Sequence, residues 1–199
     1  SAGNNAVGNY QRAYPTLKQW HINGSHESVG KDQVLFTFHE VDSITQVEKN
    51  ILNNQKAVIV SSQETKEIFE DGGVSVPVHF VPLGYDTEYF HKLNKNYYPE
   101  NITTWLLAGK FEFRKSTQDV IRAWIKRFGN NPQHMLHLSI FNPFFKPEDN
   151  ARLFEVACEG KRYFNINYIG YTKTLSELND IYNSCDIVID MSKGEGWSL

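Results

Sequence analysis

The sequence predicts an α/β protein made of two units, each with a parallel β-sheet. Short β-branched and aromatic runs alternate with amphipathic helical patterns, and the connections between them are short. One apolar run, AVIV at 57–60, lacks polar alternation, as is typical of a strand buried on both faces of a sheet. A polar, aromatic, turn-rich stretch at 85–100 interrupts this rhythm and is interpreted as a linker. We therefore place a first unit at 1–84 and a second at 101–199.

In the first unit the regular pattern begins at Val34, and nothing in residues 1–33 places them in an element. The predicted strands are VLFTF (34–38), AVIV (57–60) and VPVHFVP (76–82). A helix is predicted over 45–54, with Val47, Ile51 and Leu52 on its buried side. A second helix is predicted to begin with a capping box of Ser61 and Glu64 and to end at Gly72-Gly73.

In the second unit four strands alternate with three helices. The predicted strands are TTWLLAG (103–109), MLHLSI (135–140), YFNINYIG (163–170) and DIVID (186–190). The first helix should begin with a capping box of Ser116 and Asp119, the second at Pro147, and the third with a box of Thr174 and Glu177. The helix after Ser116 should lie on the sheet through one stripe: Val120, Ile121, Trp124, Ile125 and Phe128.

Composition indicates a packed protein and excludes several classes. Hydrophobic residues make up 40% of the 199 positions and charged residues 22%, which favours a folded core over disorder. The net charge of -3 argues against a nucleic-acid-binding face. Neither a transmembrane segment nor a signal peptide is visible, so we expect a cytoplasmic protein. The two cysteines form no disulfide framework or metal spacing, and Cys185 is interpreted as a buried thiol.

The loop GKFEFRKS at 109–116 is a candidate anion site. It follows a predicted strand and places Lys110, Arg114 and Lys115 just before a helix, whose N-terminal N–H groups and dipole favour negative charge. A solvated basic turn is the alternative interpretation of this loop taken alone.

The stretch MSKGEGWSL at 191–199 follows the last predicted strand. Gly194 and Gly196 would let the backbone come close to a ligand, and Glu195 would offer a carboxylate. Alone it would be interpreted as a surface turn. Together with the loop at 109–116 it would lie at the carboxyl edge of one sheet, where ligands of open parallel sheets bind. Cations for a diphosphate beside an acid for hydroxyl groups suit a nucleotide-sugar.

Three blocks of the sequence, in order and suitably spaced, resemble motifs of the GT-B glycosyltransferases of the retaining family 4 type. They are VIVSSQETKEIFEDGGVSVPVHFVPLGYDTEYF (58–90), LLAGKFEFRKSTQDVIRAW (106–124) and YIGYTKTLSELNDIYNSCDIVIDMSKGEGWSL (168–199). Lys110 stands where the family usually has Arg, Lys115 matches its Lys, and Ser116 replaces its Gly. The family's second glutamate would fall beyond Leu199.

The resemblance implies two Rossmann-like units, both incomplete, so that the chain is expected to be a fragment that is inactive or weakly active alone. It implies transfer of a sugar from a UDP- or GDP-linked donor to a glycan, lipid or protein acceptor with retention, as in glycan biosynthesis. It also implies a reaction without metal or other cofactor, because lysine and helix-dipole charge stabilise the leaving nucleoside diphosphate.

The resemblance also assigns residues. The catalytic candidates are Glu195, toward the donor sugar, Lys115, and His39 in the segment TFHEVD (37–42), with Glu40 as a second acid there. The candidates for donor binding are Gly109, Lys110, Arg114, Lys115, Gly170, Tyr171, Gly194, Gly196, Trp197 and Ser198. In this scheme Lys110 and Lys115 hold the diphosphate with Arg114 assisting, and Gly170 and Tyr171 border the base. For His39, an ordinary histidine at a strand end is an equal alternative.

Two other functions remain open on the same scaffold. One is a non-catalytic nucleotide- or sugar-binding module, which fold alone does not exclude. The other is a GT-B epimerase or phosphorylase. A chain that exposes a sheet edge or an apolar face would also be expected to pair with itself.

Overall fold

The computed structural model describes residues 13–27, 30–94 and 98–196. Contacts between residues divide the chain into two units. The first is the chain up to Gly84 together with the segment from Gly194 onward, and the second is Tyr85–Lys193. The alternation of strands and helices confirms the α/β class that the sequence predicts.

The first unit holds a four-stranded parallel sheet in the order β1-β2-β3-β4. Its elements are β1 (Thr16–Gln19), a short 3-10 helix (Ile22–Gly24), β2 (Gln33–Thr37), α1 (Gln46–Asn53), β3 (Ala57–Val60), α2 (Gln63–Asp71) and β4 (Val78–Phe80). Strand β1 pairs with β2 from Thr16 opposite Gln33 to Gln19 opposite Phe36. This strand lies in the region where the sequence shows no pattern.

The core of the first unit forms where the strands and helices of this unit bury their apolar side chains. It consists of Ile22, Leu35, Ile51, Leu52, Val58, Val60, Phe69 and Val78. Ile51 and Leu52 are buried as predicted, but Val47 of α1 is exposed. The prediction for Val47 was wrong: it shares a helix face with Ile51, but the core covers only the last turn of α1, so Val47 in the first turn stays exposed.

Helix α2 begins one residue later than the capping pattern suggested. Ser62 is the N-cap, and its hydroxyl accepts a hydrogen bond of 3.1 Å from the N–H of Thr65. Ser61 instead donates to the carbonyl oxygen of Gly196 at 2.8 Å. Two serines in sequence offered two registers, and the long-range partner of Ser61 is not visible in a local pattern. The predicted end of the helix at Gly72 is confirmed.

The second unit holds a four-stranded parallel sheet in the order β7-β6-β5-β8, with helices in its crossovers. Its elements are β5 (Thr103–Gly109), α3 (Thr117–Phe128), β6 (His134–Ile140), α4 (Pro147–Ala157), β7 (Ile166–Tyr168), α5 (Leu175–Asn183) and β8 (Ile187–Ile189). All four strands are those predicted, although β7 and β8 are shorter. Because β8 and β6 flank β5, the loops after these three strands leave the same edge of the sheet.

Helix α3 packs on the sheet through the predicted stripe. Val120, Ile121 and Trp124 are buried against strand residues that include Leu107 and Leu136, and Ile125 and Phe128 pack partly buried around them. Burial of side chains of this size contributes roughly 1.5–3 kcal/mol each.

The starts of the three helices differ in how well the sequence predicted them. Helix α4 begins at Pro147, and Thr174 and Glu177 form the capping box of α5, as predicted. The box at Ser116 is wrong, because Ser116 has φ 51° and its side chain makes no capping hydrogen bond. The hydroxyl of Thr117 instead donates to the carbonyl oxygen of Lys110 at 3.0 Å, which ties the preceding loop to the helix.

Both cysteines are free thiols. Cys158 is buried, whereas Cys185 is only half-buried and donates to the carbonyl oxygen of Ile181 at 3.3 Å, so the prediction of a buried Cys185 holds in part. Burial raises the pKa of both thiols, which disfavours the reactive thiolate.

Candidate functional site

The loop between β5 and α3 lies at the carboxyl edge of the second sheet. It opens at Gly109, whose φ of 127° is one that side-chain-bearing residues rarely adopt. The carbonyl oxygen of Gly109 accepts a hydrogen bond of 3.2 Å from the N–H of Phe141, the first residue after β6. The loop is therefore anchored to the neighbouring strand at its start and to α3 at its end.

The three predicted cations on this loop have different surroundings. The ammonium group of Lys110 lies 5.3 Å from the ring centre of Phe144. The guanidinium of Arg114 contacts the carboxylate of Glu112 at 3.0 Å, with about a quarter of each side chain exposed (28% and 27%). The positive charge of Arg114 is therefore offset by the Glu112 carboxylate. The ring near Lys110 carries no opposite charge and does not offset that of the ammonium.

Lys115 lies beside Gly109. A Cβ on Gly109 would be 3.9 Å from Cε of Lys115, an ordinary van der Waals distance, so it is the φ of 127° and not lack of space that favours glycine here. Burial raises the pKa of Tyr182 on α5, and the charges of Lys115 and Asp190 act on that pKa in opposite directions. Lys115 and Asp190 therefore both lie near enough to Tyr182 for their charges to act on its pKa.

The loop after β8 contacts the loop after β5. Asp190 accepts hydrogen bonds from the N–H and the hydroxyl of Ser192, at 3.0 and 2.7 Å. The N–H of Lys193 donates to the carbonyl oxygen of Arg114 at 2.8 Å. The ammonium of Lys193 lies 3.3 Å from the ring centre of Phe113. The expectation that these two loops share one edge is thus confirmed within the second unit.

A third loop, after β6, also lies at this edge. The side-chain amide of the buried Asn142 donates to the carbonyl oxygen of Phe111 at 3.3 Å. The backbone N–H of Asn142 donates to Oδ1 of Asn150 at 2.8 Å. These bonds fix the loop that carries Phe144 beneath Lys110. Sequence reasoning missed Asn142 and Phe144, which belong to no recognisable motif. It also missed Phe113 and Lys193, which lie within the quoted motifs at positions to which the resemblance assigns no role.

Gly170 and Tyr171 lie at the end of β7, also on this edge. Gly170 has φ 79°, and its carbonyl oxygen accepts a hydrogen bond of 3.1 Å from the hydroxyl of Ser139. The Tyr171 ring is 73% exposed, and its centre lies 6.1 Å from that of Phe141. The two rings form an apolar wall next to the loop that starts at Gly109.

Gly194 and Gly196 belong to the first unit and lie against the end of β2. A Cβ on Gly194 would be 2.3 Å from the carbonyl oxygen of Glu40, and one on Gly196 would be 2.9 Å from Cβ of Phe38. The space that these glycines leave is occupied by the chain's own backbone and side chains. Glu195 lies between them and is half-buried, and its role toward a sugar stays a prediction.

His39 has local partners in the first unit. It is buried, its Nε2 lies 2.9 Å from the carbonyl oxygen of Ser43, and its ring packs edge-on against Phe69 at 5.2 Å between centres. Since a carbonyl only accepts, Nε2 carries the proton in this geometry. These contacts are those of a histidine that holds a turn, and a catalytic role for His39 stays a prediction.

Two of the predicted donor-binding residues, Trp197 and Ser198, lie outside the residues that the structure describes. Within the described ranges, no group of three or more His, Cys, Asp or Glu side chains is placed to hold a metal ion. None of the described helices is both long and apolar enough to cross a membrane.

No protein-family model matches the sequence, and no curated protein matches it significantly. Solved structures do match the fold. OtsA in its apo form has a TM-score of 0.74 at 10% identity, covering 100% of this chain and 56% of that one. Sucrose-phosphate synthase from Thermosynechococcus elongatus has a TM-score of 0.71 at 18% identity, covering 94% and 52%. HepE from Anabaena, in complex with UDP-glucose, has a TM-score of 0.60 at 15% identity, covering 81% and 47%.

These similar structures are GT-B glycosyltransferases, and the likeness defines the class of fold. This chain has the α/β fold of GT-B proteins, with a parallel sheet in each of two units, as the resemblance predicted. It spans about half the length of the solved structures that it matches. At identities of 10 to 18%, the likeness carries the fold and nothing finer.

Proposed function

We propose that this chain is the donor-binding part of a glycosyltransferase that moves a sugar from a nucleotide-diphospho-sugar to an acceptor. The observation that carries the proposal is the position of Lys110 and Lys115, on the loop after β5 at the carboxyl edge of the second sheet. In an open parallel sheet this edge is where ligands bind. The UDP-glucose in the HepE structure supports a UDP-linked donor, and a GDP-linked donor rests on the resemblance alone.

The two lysines would hold the diphosphate of the donor. As the bond to the sugar breaks, negative charge grows on the leaving nucleoside diphosphate, and ammonium groups fixed beside it stabilise the transition state. Their charge would replace that of a metal ion, so that the reaction needs no metal or other cofactor. Retention of the anomeric configuration rests on the resemblance to the family 4 enzymes.

The base of the nucleotide would lie against the wall of Tyr171 and Phe141. The exposed ring of Tyr171 offers a flat face for stacking, the Phe141 ring lies beside it at an angle of 53°, and Gly170 directly precedes Tyr171 in the chain. The resemblance assigns Glu195 to the donor sugar and His39 to catalysis. The acceptor would be a glycan, lipid or protein, and its identity is left open. We propose a cytoplasmic location for the protein.

Calorimetric titration with UDP, GDP and ADP tests the donor site. We expect one nucleotide to bind, and the double variant Lys110→Ala, Lys115→Ala to weaken its affinity by about 100-fold or more, since each lost charged contact is worth roughly 1.5–3 kcal/mol. The matched control is Lys126→Ala, Lys161→Ala. It removes two lysines toward the opposite edge of the same sheet: Lys126 lies in the last turn of α3, and Lys161 lies between α4 and β7. No binding by the folded chain, or equal losses in both double variants, would contradict the proposal.

Binding alone does not separate a transferase from a non-catalytic module. Incubation with the sugar-linked form of the preferred nucleotide addresses this, with release of the nucleoside diphosphate measured by chromatography. A transferase is expected to release it slowly to water. Release that disappears in the Lys110→Ala, Lys115→Ala variant would support the enzyme over the binding module.

A further inference from the structure

The loops at the carboxyl edge of the second sheet carry one more cation than the resemblance assigns. Lys193 lies in the loop after β8, and its N–H bond of 2.8 Å to the carbonyl oxygen of Arg114 fixes its backbone beside the predicted phosphate loop. Its ammonium is 3.3 Å from the ring centre of Phe113. The backbone of Lys193 is thus held by Arg114, and its side chain by the Phe113 ring.

Phe113 is 81% exposed, although burial of a phenylalanine side chain normally stabilises a protein. Its contact with Lys193 gives this exposed ring a function. The electron-rich face of an aromatic ring attracts an ammonium group and orients it. It does not neutralise that charge, so the ammonium remains able to bind an anion.

Arg114 differs from Lys193 in this respect. Its guanidinium is 3.0 Å from the carboxylate of Glu112, and the pair has no net charge. An anion approaching Arg114 would also meet the Glu112 carboxylate. Of these two neighbouring cations, Lys193 therefore offers the larger attraction to a phosphate.

Lys110 also lies near an exposed ring, although at a longer distance. Its ammonium is 5.3 Å from the ring centre of Phe144, which is 79% exposed. Two lysines of these loops thus contact exposed phenylalanine rings, whereas Arg114 contacts an acid.

We propose that Lys193, positioned by the Phe113 ring, binds the donor diphosphate together with Lys110 and Lys115, and that the Glu112–Arg114 pair shapes the loop. This inference rests on the proposed function. Lys193 is a binding residue in this scheme, and Phe113 is a positioning residue.

Titration of the chain with UDP, GDP and ADP, and with the corresponding nucleosides, tests the assignment of Lys193. We expect Lys193→Ala to weaken the best-bound nucleoside diphosphate about 10-fold, because it removes one charged contact, and to leave nucleoside binding unchanged. Lys193→Arg should restore most of the loss. The backbone bond to Arg114 is available in both variants. The double variant Glu112→Gln, Arg114→Ala removes the ion pair without changing the net charge, and its loss should be the smaller.

Phe113→Leu and Phe113→Trp test the positioning role. Leucine keeps apolar bulk without an aromatic face, and should lower diphosphate affinity about threefold with an unchanged melting temperature. Tryptophan should keep the affinity. The control is Phe164→Leu, which changes another exposed phenylalanine of this unit.

The outcomes separate this inference from the function on which it rests. If the unmodified chain binds none of the three nucleotides, both are overturned. If it binds one and Lys193→Ala binds equally well, the inference alone is overturned. A larger loss in the Glu112→Gln, Arg114→Ala variant than in Lys193→Ala would likewise reverse the assignment.

Discussion

The hydroxyl of Ser61 donates a hydrogen bond of 2.8 Å to the carbonyl oxygen of Gly196, a residue 135 positions later in the chain. Ser61 follows β3 and is 1% exposed, and Gly196 is also buried. The bond fastens the segment from Gly194 onward to the first unit. That segment contains Glu195, so its orientation depends on a residue that no catalytic motif contains.

Ser61→Ala should destabilise the chain by about 1–3 kcal/mol, because it leaves the buried carbonyl oxygen of Gly196 without this donor. Urea unfolding followed by circular dichroism measures the change. Ser61→Thr retains the hydroxyl and should keep more of the stability than Ser61→Ala. An unchanged unfolding midpoint in Ser61→Ala would show that water or another group replaces the bond.

Gly194→Ala and Gly196→Ala should each destabilise the first unit by about 1–3 kcal/mol through overpacking. The new Cβ at 194 would lie 2.3 Å from the carbonyl oxygen of Glu40, and the one at 196 would lie 2.9 Å from Cβ of Phe38. Denaturant midpoints provide the test. Gly84→Ala is the matched control, because a Cβ there meets nothing within 4 Å. Equal midpoints in all three variants would contradict the close approach.

Helix α1 gives a prediction about pH. The N–H of Thr45 donates to the carboxylate of Glu48 at 2.8 Å, and this backbone bond is the main reason that the pKa of Glu48 is lowered. A pKa that is lower in the folded state adds stability above the unfolded pKa, and this stability is lost as the pH falls through the folded pKa. Glu48→Gln should therefore destabilise the chain at neutral pH, by a few tenths of a kcal/mol because the site is exposed.

Unfolding measured between about pH 7 and pH 3 checks the sign, since an ordinary glutamate titrates near pH 4.3. The difference between Glu48→Gln and the unmodified chain should shrink as the pH falls. Glu67→Gln, an exposed glutamate of α2, serves as the control. A difference that grows on acidification would contradict the assignment of this pKa.

The sequence predicted those parts of the fold that depend on local pattern. The stripe of α3 was found because side chains three and four positions apart share a helix face, and Val120, Ile121 and Trp124 do line the core. The capping box of Thr174 and Glu177 was found because both partners lie within one turn. The common edge of the loops after β5 and β8 followed from the parallel alternation.

The features that were missed depend on long-range contacts or on competing local choices. Ser62 caps α2, while the hydroxyl of Ser61 bonds to the carbonyl oxygen of Gly196, far away in the chain, and this bond is not visible in the local sequence. Lys193 and Phe113 meet only because β8 lies next to β5. The residue types of the strand at Thr16–Gln19 show no hydrophobic periodicity. The side chains do alternate between half-buried and exposed, but this alternation does not match an alternation of apolar and polar residues.

His39 provides the sharpest test of a structural against a catalytic assignment. Its Nε2–H donates to the carbonyl oxygen of Ser43 at 2.9 Å, and its ring packs on Phe69. His39→Ala removes the donor and leaves a cavity, and we expect a loss of about 2–4 kcal/mol in unfolding free energy. His39→Gln offers an amide N–H to Ser43 and should lose distinctly less. Equal losses would show that the ring packing, rather than the hydrogen bond, holds the turn, and a stable His39→Ala would contradict the structural role altogether.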